Sequence, residues 1–213
     1  NAGKHIFVEK PLCLTNEEYF SICNLLSRNS NIKLSSNLIL RLTPRFIELK
    51  KRLKKGDLGL PYFVEGDYDY GRIHKLLQGW RGEIPNYSVV HGGAIHLIDL
   101  IYWLMNLRIR RVFAYGNNIS TKNSNFKNND FVVAICKFDN NLIAKVSSNY
   151  SSVTPHFHRF SLYGSKSTFE QSHSGAVYIN SRNPDNKKEK ILGKYPGTNK
   201  GDIIPSFVKH ILD

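Results

Sequence analysis

The first 40 residues alternate between apolar and polar stretches in an order that predicts strand, helix and strand. His5–Val8 is a short apolar run that ends before Pro11 and is typical of a parallel strand covered on both faces. Thr15 is a candidate N-cap for a helix that runs to about Arg28, and Ile32–Leu40 predicts the next strand. This order is that of the end of a doubly wound α/β sheet. The candidate core contacts of the helix are Tyr19, Cys23, Leu25 and Leu26.

The next segment predicts a helix, a strand and a long loop. Arg45–Lys55 is a basic amphipathic helix that Gly56 and Gly59 end. Tyr62–Tyr70 alternates as a strand. Residues 71–88 form a polar and aromatic connection whose length is typical of a lid or a binding loop. The strand residues expected on one face are Tyr62, Val64, Gly66, Tyr68 and Tyr70.

A glycine-rich turn then leads into an apolar helix across residues 88–104, which read Ser-Val-Val-His-Gly-Gly-Ala-Ile-His-Leu-Ile-Asp-Leu-Ile-Tyr-Trp-Leu. His96 falls in the first helical turn, near backbone N–H groups that favour anions. Asp99 is three positions further along, so the two side chains can approach each other.

From Arg110 onward the chain predicts strands, which indicates an α+β domain with a large, mostly antiparallel sheet that packs one face on helices. Asp139–Asn141 predicts a hairpin turn. Ser181–Lys190 predicts a charged loop, and Ile203–Asp213 predicts a helix. The predicted strands are Arg110–Asn117, Phe131–Phe138, Leu142–Ser148, His158–Tyr163, Ser167–Gln171 and Ala176–Ile179.

Composition narrows the function classes only partly. Hydrophobic residues make up 41%, an ordinary globular share, and the net charge is +13 from 30 Lys and Arg against 17 Asp and Glu. The densest basic run, Lys50–Lys55, falls at a predicted helix end, where cations favour the helix dipole. A solvated helix end is therefore favoured over a polyanion site. A phosphorylated or nucleotide-linked substrate remains compatible with the charge, and a polyanion-binding module is the remaining alternative, which predicts salt-dependent nucleic-acid binding.

The cysteines, the apolar runs and the histidine spacing bear on the cellular location of the protein and on metal binding. Cys13, Cys23 and Cys136 are scattered, odd in number and without metal spacing, so they predict reduced thiols and a cytoplasmic protein. The longest apolar runs, such as Leu97–Leu104, fall short of a membrane span. His156 and His158 are spaced as metal ligands can be, but no third ligand is suggested, so surface histidines are favoured and no metal is expected.

Residues 2–12, Ala-Gly-Lys-His-Ile-Phe-Val-Glu-Lys-Pro-Leu, resemble the Glu-Lys-Pro segment of the Gfo/Idh/MocA oxidoreductases, the glucose-fructose oxidoreductase and inositol dehydrogenase family. The resemblance implies that Lys10 contacts both a nicotinamide cofactor, NAD or NADP, and the substrate hydroxyl. From pattern alone, Glu9 and Lys10 are also compatible with a solvated strand end.

Residues 88–104 are similar to the family's glycine-rich turn and His-hydrophobic-hydrophobic-Asp helix, and the resemblance implies that His96 is the acid/base group. Many members carry Asp or Asn four residues before that histidine, where this chain has Gly92, and Ala94 replaces a usual glycine. The third catalytic partner is therefore open, with His91 as a candidate substitute. Residues 162–170 resemble a structural hairpin of the family.

The resemblance also implies the domain organisation. Residues 1–40 are expected to end a Rossmann dinucleotide-binding domain, and residues 41–213 to form the substrate-binding and dimerisation domain. The glycine-rich phosphate-binding turn is absent, so the chain is expected to be a fragment that lacks most of its dinucleotide-binding half. The helix at Ile203–Asp213 is expected to be cut short as well. The expected cofactor-binding residues are Glu9, Lys10, Pro11, Asn37 and Arg41. The expected substrate-binding residues are Tyr70, Arg72, Trp80, Arg81, His91 and Asp99, with His74 and Lys75 as further candidates.

The favoured hypothesis is hydride transfer between nicotinamide and a hydroxyl or keto carbon of a sugar, cyclitol or nucleotide sugar. Lys10 is expected to orient and polarise the substrate, and His96 to shuttle the proton, because an imidazole titrates near neutral pH. A homo-oligomer through the open sheet face is expected, with neither nucleic acid nor membrane as a partner. The alternative is a non-catalytic relative that binds a ligand or partner, which Gly92 motivates.

Overall fold

A small parallel sheet opens the chain. The computed structural model describes residues 3–85 and 87–213, so Ala2 of the first motif lies outside the described residues. Strand β1 (Ile6–Val8) pairs in parallel with β2 (Leu34–Ser36), and helix α1 (Asn16–Ser27) connects them. Thr15 caps α1 as predicted: its side chain accepts a hydrogen bond from the backbone of Glu18, whose carboxylate accepts one from the backbone of Thr15.

Two details of this first part differ from the predictions. The second strand is shorter than Ile32–Leu40, because β2 has three partner positions on β1 and the chain then forms a 3₁₀ turn at Ile39–Leu42. None of the residues of α1, all of which the structure describes, is buried, so the predicted core contacts are wrong. Tyr19 is 50% exposed and Leu25 is 59% exposed, because the described residues provide no layer that covers this side of the helix.

An eight-stranded sheet forms the second part, in the order β10-β9-β8-β7-β3-β6-β5-β4. The pair β3 and β6 is parallel and the other neighbours are antiparallel, which confirms the predicted large, mostly antiparallel sheet. The strands are β3 (Pro61–Asp69), β4 (Ile109–Asn117), β5 (Phe131–Phe138), β6 (Ile143–Asn149), β7 (Phe157–Gly164), β8 (Thr168–Ser172), β9 (Gly175–Ile179) and β10 (Glu189–Lys190). The hairpin between β5 and β6 turns at Asn141, whose φ is +66°.

Helices α2 (Pro44–Lys55) and α5 (Ile95–Met105) cover one face of this sheet. The other helices are α3 (His74–Leu77), α4 (Trp80–Glu83) and α6 (Ile204–Leu212), and Phe207 of α6 contacts Phe7 of β1 with ring centroids 5.6 Å apart. Helix α2 ends at Gly56 in the left-handed conformation, as predicted. The helices α3 and α4 replace part of the predicted irregular connection at residues 71–88, within which Asn86 lies outside the described residues.

The core lies between the sheet and helices α2 and α5. Phe46 of α2 is fully buried and makes an edge contact with Phe160 of β7, with ring centroids 5.4 Å apart. On β3, Gly66 faces α5, and a Cβ atom there would lie 3.3 Å from Leu97 Cδ1. Of the residues predicted to share one face of this strand, Val64, Tyr68 and Tyr70 are buried, whereas Tyr62 is 56% exposed at the start of the strand.

The opposite face of the sheet carries charge in its centre and aromatic side chains at one edge. Lys145 Nζ lies 2.9 Å from Asp67 Oδ1, and Arg159 Nε lies 2.7 Å from Asp69 Oδ2. Phe113 and Tyr115 of β4 are more than 60% exposed on this face. Association of two copies through this face stays a prediction. None of the helices in the described residues has the length and apolarity needed to cross a membrane.

Candidate functional site

A cavity of about 570 Å³ lies between the carboxyl end of β1 and the eight-stranded sheet. This volume is within the range of small-molecule sites. The 3₁₀ turn, the loop that carries α4 and the π-helical turn Val90–Ala94 complete its walls. The structure brings most of the predicted site residues to this cavity: Glu9, Lys10, Pro11, Asn37, Tyr70, Arg72, Trp80, Arg81, His91 and His96.

Lys10 extends from the end of β1 into the cavity. Its ammonium group donates a hydrogen bond to the backbone carbonyl of Gly92. Burial and the nearby charge of Arg81 lower the pKa of Lys10 to about 8, against an opposing effect of Glu9. Glu9 in turn accepts a hydrogen bond of 2.9 Å from Asn37 Nδ2. An amine with this pKa is mostly protonated at neutral pH and titrates close above it.

His96 lies in the first turn of α5 and lines the same cavity as Lys10. Its Nδ1 is buried and has no hydrogen-bond partner among the described residues. Burial, together with the positive charge of Lys10, lowers the pKa of His96 to about 3. The imidazole is therefore neutral at pH 7.

Two more histidines line the same cavity, and the prediction of a surface position is wrong for His158, whereas His156 is exposed. His158 is 7% exposed, its ring centroid lies 5.8 Å from that of His96, and its Nδ1 is hydrogen-bonded to the hydroxyl of Tyr195. Burial lowers the pKa of His158 well below its ordinary value. His156 lies at the exposed rim. The period of β7 carried the signal, because His158 alternates with the buried Phe160 and Leu162.

Arg41 and Asp99 are not among the described residues that line the cavity. Arg41 Nε donates to Asp99 Oδ2 at 2.8 Å, so this ion pair joins the 3₁₀ turn to α5. The expected approach of His96 to Asp99 is not made, because the carboxylate faces the guanidinium instead. The further candidates His74 and Lys75 are likewise absent from the described lining.

Tyrosine side chains that the sequence did not single out fill the space beside Gly92. Tyr87 Oη lies 3.1 Å from Tyr150 Oη. A Cβ atom on Gly92 would lie 2.1 Å from Tyr87 Oη and 2.3 Å from Tyr150 Oη. Burial raises the pKa of Tyr150 and of Tyr68, which also lines the cavity, so both phenols stay protonated. The cavity thus offers an ammonium group, a neutral imidazole and phenolic hydroxyls to a polar ligand.

The shifted pKa of His96 predicts a specific dependence of stability on pH. Between about pH 3 and 6.5, the unfolded chain binds a proton at His96 that the folded chain does not bind. Acidification through this range therefore lowers the free energy of unfolding. We expect His96→Asn to lose less stability than the native chain over this range, as measured by denaturant titrations at a series of pH values.

The matched control is His74→Asn, which removes an exposed imidazole outside the cavity. This variant is expected to follow the native chain at each pH. Equal slopes for His96→Asn and the native chain would show that the imidazole of His96 is not held neutral by the fold.

Comparison with known proteins places the larger part of the chain in a described family. The model of the GFO/IDH/MocA C-terminal domain matches residues 46–170. Inositol 2-dehydrogenase of Salmonella typhimurium is 24% identical over 152 residues, which are 70% of this chain and 42% of that protein. The NAD(+)-dependent scyllo-inositol 2-dehydrogenase of Bacillus subtilis is 23% identical over 171 residues, which are 77% of this chain and 47% of that protein. The chain spans less than half the length of these relatives.

Solved structures show the same fold. Myo-inositol 2-dehydrogenase from Lactobacillus plantarum has a TM-score of 0.77 and 20% identity, and the match covers 98% of this chain and 63% of that one. An inositol dehydrogenase homologue from Azotobacter vinelandii, in complex with NADH and myo-inositol, has a TM-score of 0.75 and 19% identity. That match covers 86% of this chain and 49% of the homologue.

Proposed function

The chain belongs to the Gfo/Idh/MocA family, and from this premise we propose that the whole protein is an NAD(P)-dependent oxidoreductase. It transfers a hydride between nicotinamide and a hydroxyl or keto carbon of a sugar, cyclitol or nucleotide sugar. The observation that carries the proposal is the meeting of Lys10 and His96 at one cavity, although they lie in different parts of the fold. The inositol dehydrogenases among the relatives support a polyhydroxylated substrate.

A nicotinamide fits the end of the cavity next to β1. Asn37 is 4% exposed, and its Oδ1 is buried without a partner among the described residues. A buried carbonyl oxygen needs a donor, and a carboxamide N–H supplies one. Glu9, Lys10, Pro11 and Asn37 are therefore the residues that would hold this group. When bound, nicotinamide supplies or accepts the hydride.

Lys10 is suited to orient and polarise the substrate oxygen. Its ammonium group has three N–H donors, and the carbonyl of Gly92 accepts one of them. The others remain available to the hydroxyl or carbonyl oxygen of a ligand. Since Gly92 fixes the position of the ammonium group, a ligand oxygen meets donors that are already oriented.

His96 is suited to move the hydroxyl proton. Its neutral imidazole accepts the proton when an alcohol is oxidised and returns it when a ketone is reduced. Burial, together with the ammonium group of Lys10, keeps His96 from carrying a second positive charge before the substrate binds. Tyr68 and Tyr70 stack with ring centroids 5.5 Å apart and form an aromatic wall that limits water around these groups.

Hydride transfer by the whole protein tests this function. We expect a change in the ultraviolet absorbance of NADH or NADPH that depends on a member of a panel of sugars, cyclitols and nucleotide sugars. Cofactor binding without any substrate-dependent change across the panel would instead favour the non-catalytic alternative, for which the glycine at position 92 is the supporting feature.

A further inference from the structure

The cavity has an unbalanced charge. Lys10, Arg72, Arg81 and Lys200 line it, and Glu9 is the carboxylate among its described lining residues. Within residues 3–85 and 87–213, none of these four cations takes part in an ion pair. A cleft lined by one sign of charge raises the local concentration of the opposite ion.

The carboxylate of Glu9 does not balance these cations. It accepts a hydrogen bond from Asn37 at the β1 end of the cavity, and the charge that it stabilises is that of Lys10. Arg81 and Lys200 line the same cavity as Lys10, and their charges lower the pKa of Lys10. Mutual repulsion among cations costs free energy, which an anion placed between them recovers.

The two arginines are held by aromatic rings that leave their donors free. The guanidinium of Arg72 lies 5.1 Å from the centroid of the Tyr70 ring, and that of Arg81 lies 4.4 Å from the centroid of Trp80. Contact of a guanidinium with a ring uses its face, so the N–H groups in its plane stay available for an oxyanion. A carboxylate or phosphate matches this donor arrangement and accepts two parallel hydrogen bonds.

We propose that the substrate of this site carries an oxyanion group, a carboxylate or a phosphate, which Arg72, Arg81 and Lys200 bind while Lys10 and His96 act on a separate hydroxyl. The proposal rests on the proposed function and narrows its substrate class to acidic or phosphorylated sugars and cyclitols. A neutral cyclitol, as named for the relatives, would leave the guanidinium groups without a charged partner.

The test compares matched neutral and anionic ligands on the whole protein saturated with NADH or NADPH, whichever it binds more tightly, so that the phosphate sites of the cofactor itself are occupied. Calorimetric titrations use D-glucose with D-glucuronate, and myo-inositol with myo-inositol 1-phosphate. We expect the anionic member of at least one pair to bind about tenfold more tightly or better, which corresponds to about 1.4 kcal/mol. A preference in the first pair identifies a carboxylate, and a preference in the second identifies a phosphate.

Variants connect this preference to the named side chains. The double variant Arg72→Gln with Arg81→Gln is expected to reduce the anionic-to-neutral affinity ratio by about tenfold. Arg182→Gln, which removes an exposed arginine outside the cavity, is expected to keep the ratio. The proposal is overturned if neither anionic ligand binds at millimolar concentration, or if the two members of each pair have affinities within twofold of each other. It is also overturned if the double variant keeps the anionic-to-neutral affinity ratio of the native protein. Because binding is measured without turnover, these outcomes are independent of whether hydride transfer is detected.

Discussion

Replacing Lys10 with Met in the whole protein is expected to lower kcat for hydride transfer by about 10²- to 10⁴-fold, the usual contribution of acid–base and polarising groups. Methionine keeps a linear apolar stem but removes the ammonium group that donates to the carbonyl of Gly92 and faces the cavity. The reacting oxygen then loses its fixed donor. Steady-state rates measured from the absorbance of the nicotinamide check this result.

His96→Asn is expected to lower kcat by a similar factor, because the amide does not accept and return a proton as imidazole does. The matched controls are Lys187→Met and His74→Asn, which remove an exposed amine and an exposed imidazole outside the cavity. Thermal unfolding and NADH affinity of each variant separate a chemical effect from a folding defect. Near-native turnover by both Lys10→Met and His96→Asn on the true substrate would show that the role assignment is wrong.

The parts of the fold that the sequence predicted well depend on neighbouring residues. Thr15 and Glu18 form a capping box within one turn, and Gly56 ends α2 because its φ of +75° suits a residue without a side chain. The strands after Arg110 follow from their alternation and from the turn at Asn141. Such signals are complete within a few positions of the chain, so no tertiary contact is needed to interpret them.

The errors occurred where contacts between distant segments decide the outcome. Asp99 is one helical turn from His96, yet it pairs with Arg41 from another element. The hydroxyl groups of Tyr87 and Tyr150 lie 3.1 Å apart, and no local sequence pattern marks these two residues as partners. For His158, the alternation of β7 was sufficient to predict burial. The surface prediction instead followed the general tendency of polar residues to be exposed. Lys200 lines the cavity because of the path that the chain takes after β10, and no local sequence pattern predicts that path.

Gly92→Ala is expected to destabilise the fold by about 1–3 kcal/mol, as overpacking of a well-filled site does. The sign of this change in the free energy of unfolding is informative, because Gly→Ala in helical backbone ordinarily stabilises a protein by about 0.5–1 kcal/mol. Here the added Cβ would lie within 2.3 Å of both tyrosine hydroxyls, and Tyr150 is 1% exposed. The rings of Tyr70 and Tyr87 contact Tyr150, so it has little room to move. Denaturant titrations of the variant and the native chain measure the difference.

The double variant Tyr87→Phe with Tyr150→Phe is expected to reduce this cost, because it removes both oxygens that the new methyl group would meet. Removing both partners of the hydroxyl pair leaves neither one buried without a partner. The coupling between position 92 and the pair is then expected to be about 0.5–3 kcal/mol. Gly201→Ala, where no atom lies within 4 Å of the added Cβ, is the control and is expected to change stability by less than about 0.5 kcal/mol. If Gly92→Ala stabilises the chain, or if its cost is the same in both backgrounds, the two hydroxyls do not fill the space beside Gly92, and that space is open to a ligand or to a side chain from another position.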